Sequence, residues 1–160
     1  MSFAADVTIN VTTLAGLKFE PARFVVAPGD NVTLVLQNPD DMMHNLVITR
    51  PGARAAVVEA ALALGENGPA RNFVPASDQV LWATPVLNPG GNARLTFTAP
   101  PDEGVFPYVC TFPGHGLVMF GAMYVGRNVA LPPARRISAA TASPESACSE
   151  HMKTAAPSSA

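Results

Sequence analysis

The sequence predicts an all-β domain, a Greek-key sandwich or barrel of seven or eight strands with one inserted helix. Two observations point to strands: short apolar runs recur along the chain, and each is closed by Gly, Pro, Asn or Asp. A third adds the helix, because one alanine-rich segment alone breaks that rhythm.

Val7, Ile9 and Val11 alternate with polar neighbours, the period of a half-buried strand. The run Phe24, Val25, Val26 is stopped by Pro28, Gly29 and Asp30, and the run from Val32 to Leu36 by Asn38, Pro39 and Asp40. Residues 44–49 (His-Asn-Leu-Val-Ile-Thr) read as the next strand. Residues 53–64 are rich in strong helix formers and end at Gly65, so a helix is expected there, followed by a polar loop to about Ser77. Val80 to Leu87 reads as a strand closed by Pro89, Gly90 and Gly91. Leu95 and Phe97 alternate in the next run, and Val105 to Cys110 and Met119 to Val125 complete the set. After Gly126 the composition shifts to Ala, Ser, Pro and Thr without periodicity. The expected organisation is therefore a folded domain over residues 1–126 and a disordered tail over 127–160.

With 160 residues, the chain has room for one ordinary domain and its core. Its net charge of −2 gives no electrostatic case for nucleic acid or an anionic membrane. Residues 1–126 carry six Lys/Arg against ten Asp/Glu, so the expected body is mildly acidic. No stretch is long enough for a membrane-spanning helix, and the first residues lack the basic and apolar regions of a signal peptide. The two cysteines, Cys110 and Cys148, lie far apart and define no disulfide framework.

The informative segment is residues 108–121, Tyr-Val-Cys-Thr-Phe-Pro-Gly-His-Gly-Leu-Val-Met-Phe-Gly. It offers a thiol at Cys110, an imidazole at His115 and a thioether at Met119, and a turn through Pro113 and Gly114 can fold them together. A fourth donor, His44, opens an earlier strand, and its neighbour Asn45 is placed to hydrogen-bond the Cys110 loop. Singly, each residue reads as ordinary core. Jointly, two of the three histidines, a cysteine and a methionine fall on one workable geometry. Soft sulfur donors with imidazole favour copper over magnesium, calcium or manganese, and two His, one Cys and a weak axial Met form the established ligand set of blue-copper electron-transfer sites. The loop residues Phe112, Pro113, Gly114, Gly116, Leu117 and Val118 carry no charge, so an apolar surface, extended by Met42, is expected around His115, with the imidazole exposed within it.

On these residues the chain resembles the cupredoxins, and among them the azurin-like group. Cys-Thr-Phe-Pro-Gly-His followed by three residues and Met is similar to the azurin ligand loop, and His-Asn-Leu-Val-Ile to the strand bearing the first histidine. The resemblance covers about residues 5–126. It implies one type 1 copper ion with His44, Cys110 and His115 as equatorial ligands, Met119 as the axial ligand and Asn45 bracing the loop. It also implies a periplasmic or other extracytoplasmic location. The chain departs from the azurin pattern in having Met43 where a glycine precedes the first histidine, Leu46 where a tryptophan follows, and no cysteine before Cys110.

Three functions remain to be separated. The first is a monomeric carrier of single electrons between redox proteins such as a c-type cytochrome or an oxidoreductase, free or as a domain of a larger oxidoreductase. The second is a copper enzyme, which needs a further open metal site; the chain has no His-x-His pair and only His151 to spare. The third is a copper storage or delivery module, usually rich in exposed Met, His or Cys-x-x-Cys. Here the tail has only one of each, Cys148, His151 and Met152.

Overall fold

In the computed structural model, which describes residues 3–131, each of the eight apolar runs carries a strand. They are β1 (Asp6–Leu14), β3 (Arg23–Val26), β4 (Asn31–Gln37), β5 (Val47–Thr49), β6 (Val80–Ala83), β7 (Asn92–Thr98), β8 (Gly104–Val109) and β9 (Phe120–Val125). One further strand, β2 (Lys18–Glu20), pairs with β1 and buries only Phe19. It is too short to show a period. The expected tail from residue 132 onward, with Cys148 and His151, lies outside the described residues.

Two sheets face each other, one ordered β2-β1-β4-β7 and the other β3-β9-β8-β5-β6. β1 lies parallel to β4 and β3 parallel to β9, so long connections cross between the sheets as Greek-key topology requires. The inward faces meet in one core. Val11, Val32, Leu34, Leu36 and Phe97 come from the first sheet; Phe24, Val26, Ile48, Tyr108, Met123 and Val125 come from the second. Tyr108 stacks on Phe24 and meets Phe19 edge-on, and its hydroxyl donates to the Pro21 carbonyl at 2.6 Å. Trp82 on β6 stacks on Phe97 on β7 with ring centroids 4.3 Å apart, an aromatic contact between the two sheets.

The expected helix is α1 (Arg54–Leu62), which lies in the long connection from β5 to β6. Its buried Val57 and Val58 pack with Val47 and Val109 in a second cluster. Burying each of these valines stabilises the fold by about 1.5–3 kcal/mol. Two short 3-10 turns, Gly65–Asn67 and Pro69–Arg71, follow where a polar loop was expected. They deliver Asn72 and Phe73 in left-handed conformation, at φ 54° and 59°.

Candidate metal centre

The four residues singled out by sequence sit at one end of the sandwich, where two chain segments meet. His44 precedes β5, in a bridge to Leu87: its N–H donates to the Leu87 carbonyl at 3.2 Å, and the Leu87 N–H donates back at 2.7 Å. The turn leading to it is held by the buried Asn38. The Asn38 Nδ2 donates to the Met42 carbonyl at 2.8 Å and to the Leu87 and Asn88 carbonyls at 3.2 Å each, and its Oδ1 accepts from Thr13 at 2.6 Å.

Cys110 follows β8 directly, and the loop from it to β9 is closed by its own backbone. The His115 N–H donates to the Phe112 carbonyl at 3.0 Å, and the His115 carbonyl accepts from Val118 and Met119. The Cys110 N–H donates to the Met119 carbonyl at 3.0 Å. Gly114 turns this loop at φ 83°, a conformation that costs a residue without Cβ nothing. Gly116 lets α1 approach, since a Cβ there would come within 2.7 Å of Val58.

These elements bring Cys110 Sγ to 3.8 Å from His44 Nδ1 and 3.7 Å from His115 Nδ1. All three donor atoms lie within 4.8 Å of one another, and all three residues are buried. Bond lengths of about 2.0 Å to nitrogen and about 2.3 Å to thiolate sulfur, spread at about 120°, place sulfur and nitrogen about 3.7 Å apart. The spacing fits a late first-row metal in a trigonal plane. Met119 is fully buried, and its backbone bonds to both Cys110 and His115 keep it beside the trio.

Burial pushes the Cys110 thiol up, against the opposing pull of hydrogen bonds from the Asn45 and Phe112 backbone. Burial, and then the neighbouring His44, pushes His115 down, which favours the neutral imidazole a metal requires. The expected brace is present: Asn45 Oδ1 accepts from the Thr111 N–H at 2.8 Å, and Asn45 Nδ2 donates to Thr111 Oγ1 at 2.8 Å and to the Asn72 carbonyl at 2.9 Å.

The structure adds three groups that the sequence reading did not single out. Asp40, read there only as a strand stop, lies 2.7 Å from His44 Nε2, and this hydrogen bond, outweighing burial, holds its carboxyl below the usual value. Asn72 meets Asn45, and Phe73 meets Phe112 edge-on at 5.1 Å, while Phe112 lies 4.8 Å from the His115 ring. The uncharged rim is partly as expected. Leu117 (76%), Val118 (58%) and Phe120 and Met42 (43% each) are exposed, but His115 itself is only 4% accessible beneath them. Arg54 borders the rim with its guanidinium 3.7 Å from the centre of the Phe120 ring.

The family described as copper-binding proteins of the plastocyanin/azurin family matches residues 5–126. Auracyanin-A of Chloroflexus aurantiacus is 32% identical over 127 residues, covering 78% of this chain and 77% of that protein. A solved structure of auracyanin A, described as a "blue" copper protein from that green thermophilic photosynthetic bacterium, aligns with a TM-score of 0.69 at 32% identity, over 76% of this chain and 99% of that one. Dithionite-reduced auracyanin from the photosynthetic bacterium Roseiflexus castenholzii aligns with a TM-score of 0.68 at 33% identity, over 78% of this chain and 100% of that one.

Proposed function

The chain belongs to the plastocyanin/azurin family of copper-binding proteins, and from that premise we propose that His44, Cys110 and His115 are the strong ligands of one copper ion and Met119 the weak one. The domain that holds it spans residues 1–126. The protein is a type 1 copper electron carrier of the cupredoxin class. The observation that carries the assignment is the donor trio, one thiol and two imidazole nitrogens on a single buried centre.

Copper, when bound, supplies a one-electron couple between Cu(II) and Cu(I). The chain's part is to hold the donors still. Cys110 and His115 are tied into one hydrogen-bonded loop, His44 is bridged to Leu87, and Asn45 links the two segments through Thr111. Donors fixed in this way move little between oxidation states, which favours fast transfer. Burial excludes water and leaves no open position for a substrate, which supports a carrier without a catalytic site of its own. It also argues against storage or delivery, because a receiving partner needs donors it can reach, and none of the three strong donors is more than 4% exposed.

The partners are redox proteins, a c-type cytochrome or an oxidoreductase, which meet the monomer at the uncharged rim over His115. Its exposed Leu117 and Val118 support that placement. Among the described residues, no helix is long and apolar enough to cross a membrane. The resemblance to azurins supports an extracytoplasmic, periplasmic location.

The test is copper(II) addition to metal-free protein. An intense blue band is expected, absent in Cys110→Ser and altered but present in His115→Ala. A blue Cys110→Ser variant refutes the ligand assignment.

A further inference from the structure

Asp40 stands in the turn that follows β4, four residues before His44. Its Oδ2 lies 2.7 Å from His44 Nε2, and the two side chains are 6% and 0% exposed. Its other oxygen accepts from the Asp41 N–H at 2.9 Å, which fixes the carboxylate plane within the turn that Asn38 anchors. A carboxylate only accepts hydrogen bonds, so Nε2 must carry a proton, and in the neutral ring Nδ1 then keeps its lone pair. That free nitrogen is the one facing Cys110 Sγ at 3.8 Å.

A carboxylate in this position does two things. It selects the tautomer and ring orientation of the histidine, and it raises the basicity of the opposite nitrogen. A charge with little solvent around it is also weakly screened, so it acts on whatever charge lies across the ring.

We propose that Asp40 is a positioning residue of the copper site: it locks His44 with Nδ1 presented to the metal, and its negative charge favours Cu(II) over Cu(I). The proposal rests on the assignment of His44 as a ligand. It differs from that assignment in what it expects of the metal-free protein and of the balance between oxidation states.

Two measurements test it. In metal-free wild-type protein, long-range 1H–15N correlation of the imidazoles is expected to show His44 as the Nε2–H tautomer; an Nδ1–H tautomer overturns the proposal. In copper-loaded protein, Asp40→Asn keeps the size and an acceptor oxygen but removes the charge. Its affinity for Cu(II) relative to Cu(I) is expected to fall about tenfold, read as a rise of about 59 mV in reduction potential at fixed pH, with the blue band retained. Thermal unfolding of the metal-free variant establishes that the fold is intact. Loss of Cu(II) by a folded variant that still holds Cu(I) is the same effect in stronger form and supports the proposal, whereas an unchanged or lower potential, or equal loss of both ions, overturns it. Wild-type protein that stays colourless with copper(II) refutes the ligand assignment instead, and the tautomer then decides Asp40 alone.

Discussion

Asn45→Ala should cost more than any surface change, because Asn45 is fully buried and joins three segments of chain. The substitution removes three hydrogen bonds of 2.8–2.9 Å. It strands the Thr111 N–H at a position where Thr111 is only 3% exposed. A buried unsatisfied group costs about 1–3 kcal/mol. The Asn72 carbonyl, only part-buried, regains some of its loss from solvent. The expected destabilisation is therefore about 2–4 kcal/mol, or a fall in Tm of about 6–12 °C at roughly 3 °C per kcal/mol for a domain of this size. Circular dichroism melts of the metal-free protein measure it. A double-mutant cycle with Thr111→Val isolates the bridge, and a coupling of about 0.5–3 kcal/mol is expected. If Asn45→Ala melts within about 1 °C of wild type and keeps the same copper spectrum, the reasoning that this side chain ties the two ligand segments together fails.

Three other substitutions probe different contacts. Gly116→Ala drives a methyl to 2.7 Å from Val58 Cγ2 and 3.2 Å from the Cys110 carbonyl. About 1–3 kcal/mol of destabilisation is expected, and chemical denaturation of the metal-free protein reads it. Tyr108 is held in its neutral form by burial, and secondarily by the nearby Glu20 charge, so its folded-state pKa lies above the unfolded value. The folded state then retains a proton that the unfolded state releases, and stability falls as pH rises above about 10. Tyr108→Phe should lose about 1 kcal/mol at neutral pH, with its hydrogen bond to Pro21, yet show a shallower alkaline decline in urea midpoints. Met119→Leu should keep the blue colour and raise the reduction potential, since loss of a weak donor to a dry site disfavours Cu(II) more than Cu(I); voltammetry showing an unchanged or lower potential would remove Met119 from the axial position.

The candidate metal centre was legible because its donors are chemically scarce. A thiol, an imidazole and a thioether within residues 110–119 have few joint explanations, and the remaining requirement was a histidine at a strand opening. Asp40 was hidden for the opposite reason. Asn-Pro-Asp-Asp is ordinary turn composition, and nothing local tells an aspartate that stops a strand from one that also hydrogen-bonds a candidate ligand. Asn72 and Phe73 were less legible still. Left-handed backbone at a phenylalanine has no sequence signature; the ring pays for that conformation through packing against Phe112 and near Gly68, which only the assembled fold reveals. The eight apolar runs located their strands, but β5 is shorter than the run over residues 44–49 suggests. Residues 44–46 leave the ladder to serve the site, with His44 bridged to Leu87 and the Leu46 N–H donating to Thr84 Oγ1.

β5 lies between β6 and β8, and all three of its residues are buried. Val47 packs with the α1 cluster while Ile48 belongs to the main core. Most strands resist slippage because a shift by one residue turns a polar side chain inward. Here a shift exchanges Val47 and Ile48, one branched aliphatic for another, so at those two positions hydrophobicity barely opposes it. Such a slip moves His44 by about 3.3 Å, nearly its whole distance from Cys110. What prevents it is polar: the His44–Leu87 bridge, the Leu46–Thr84 bond and the Asn45–Thr111 pair all lie just before the strand and match in only one alignment. A redesign that made these positions greasier would keep the sandwich and lose the alignment, yielding alternative registers of one chain, of which only one brings His44 within reach of the sulfur.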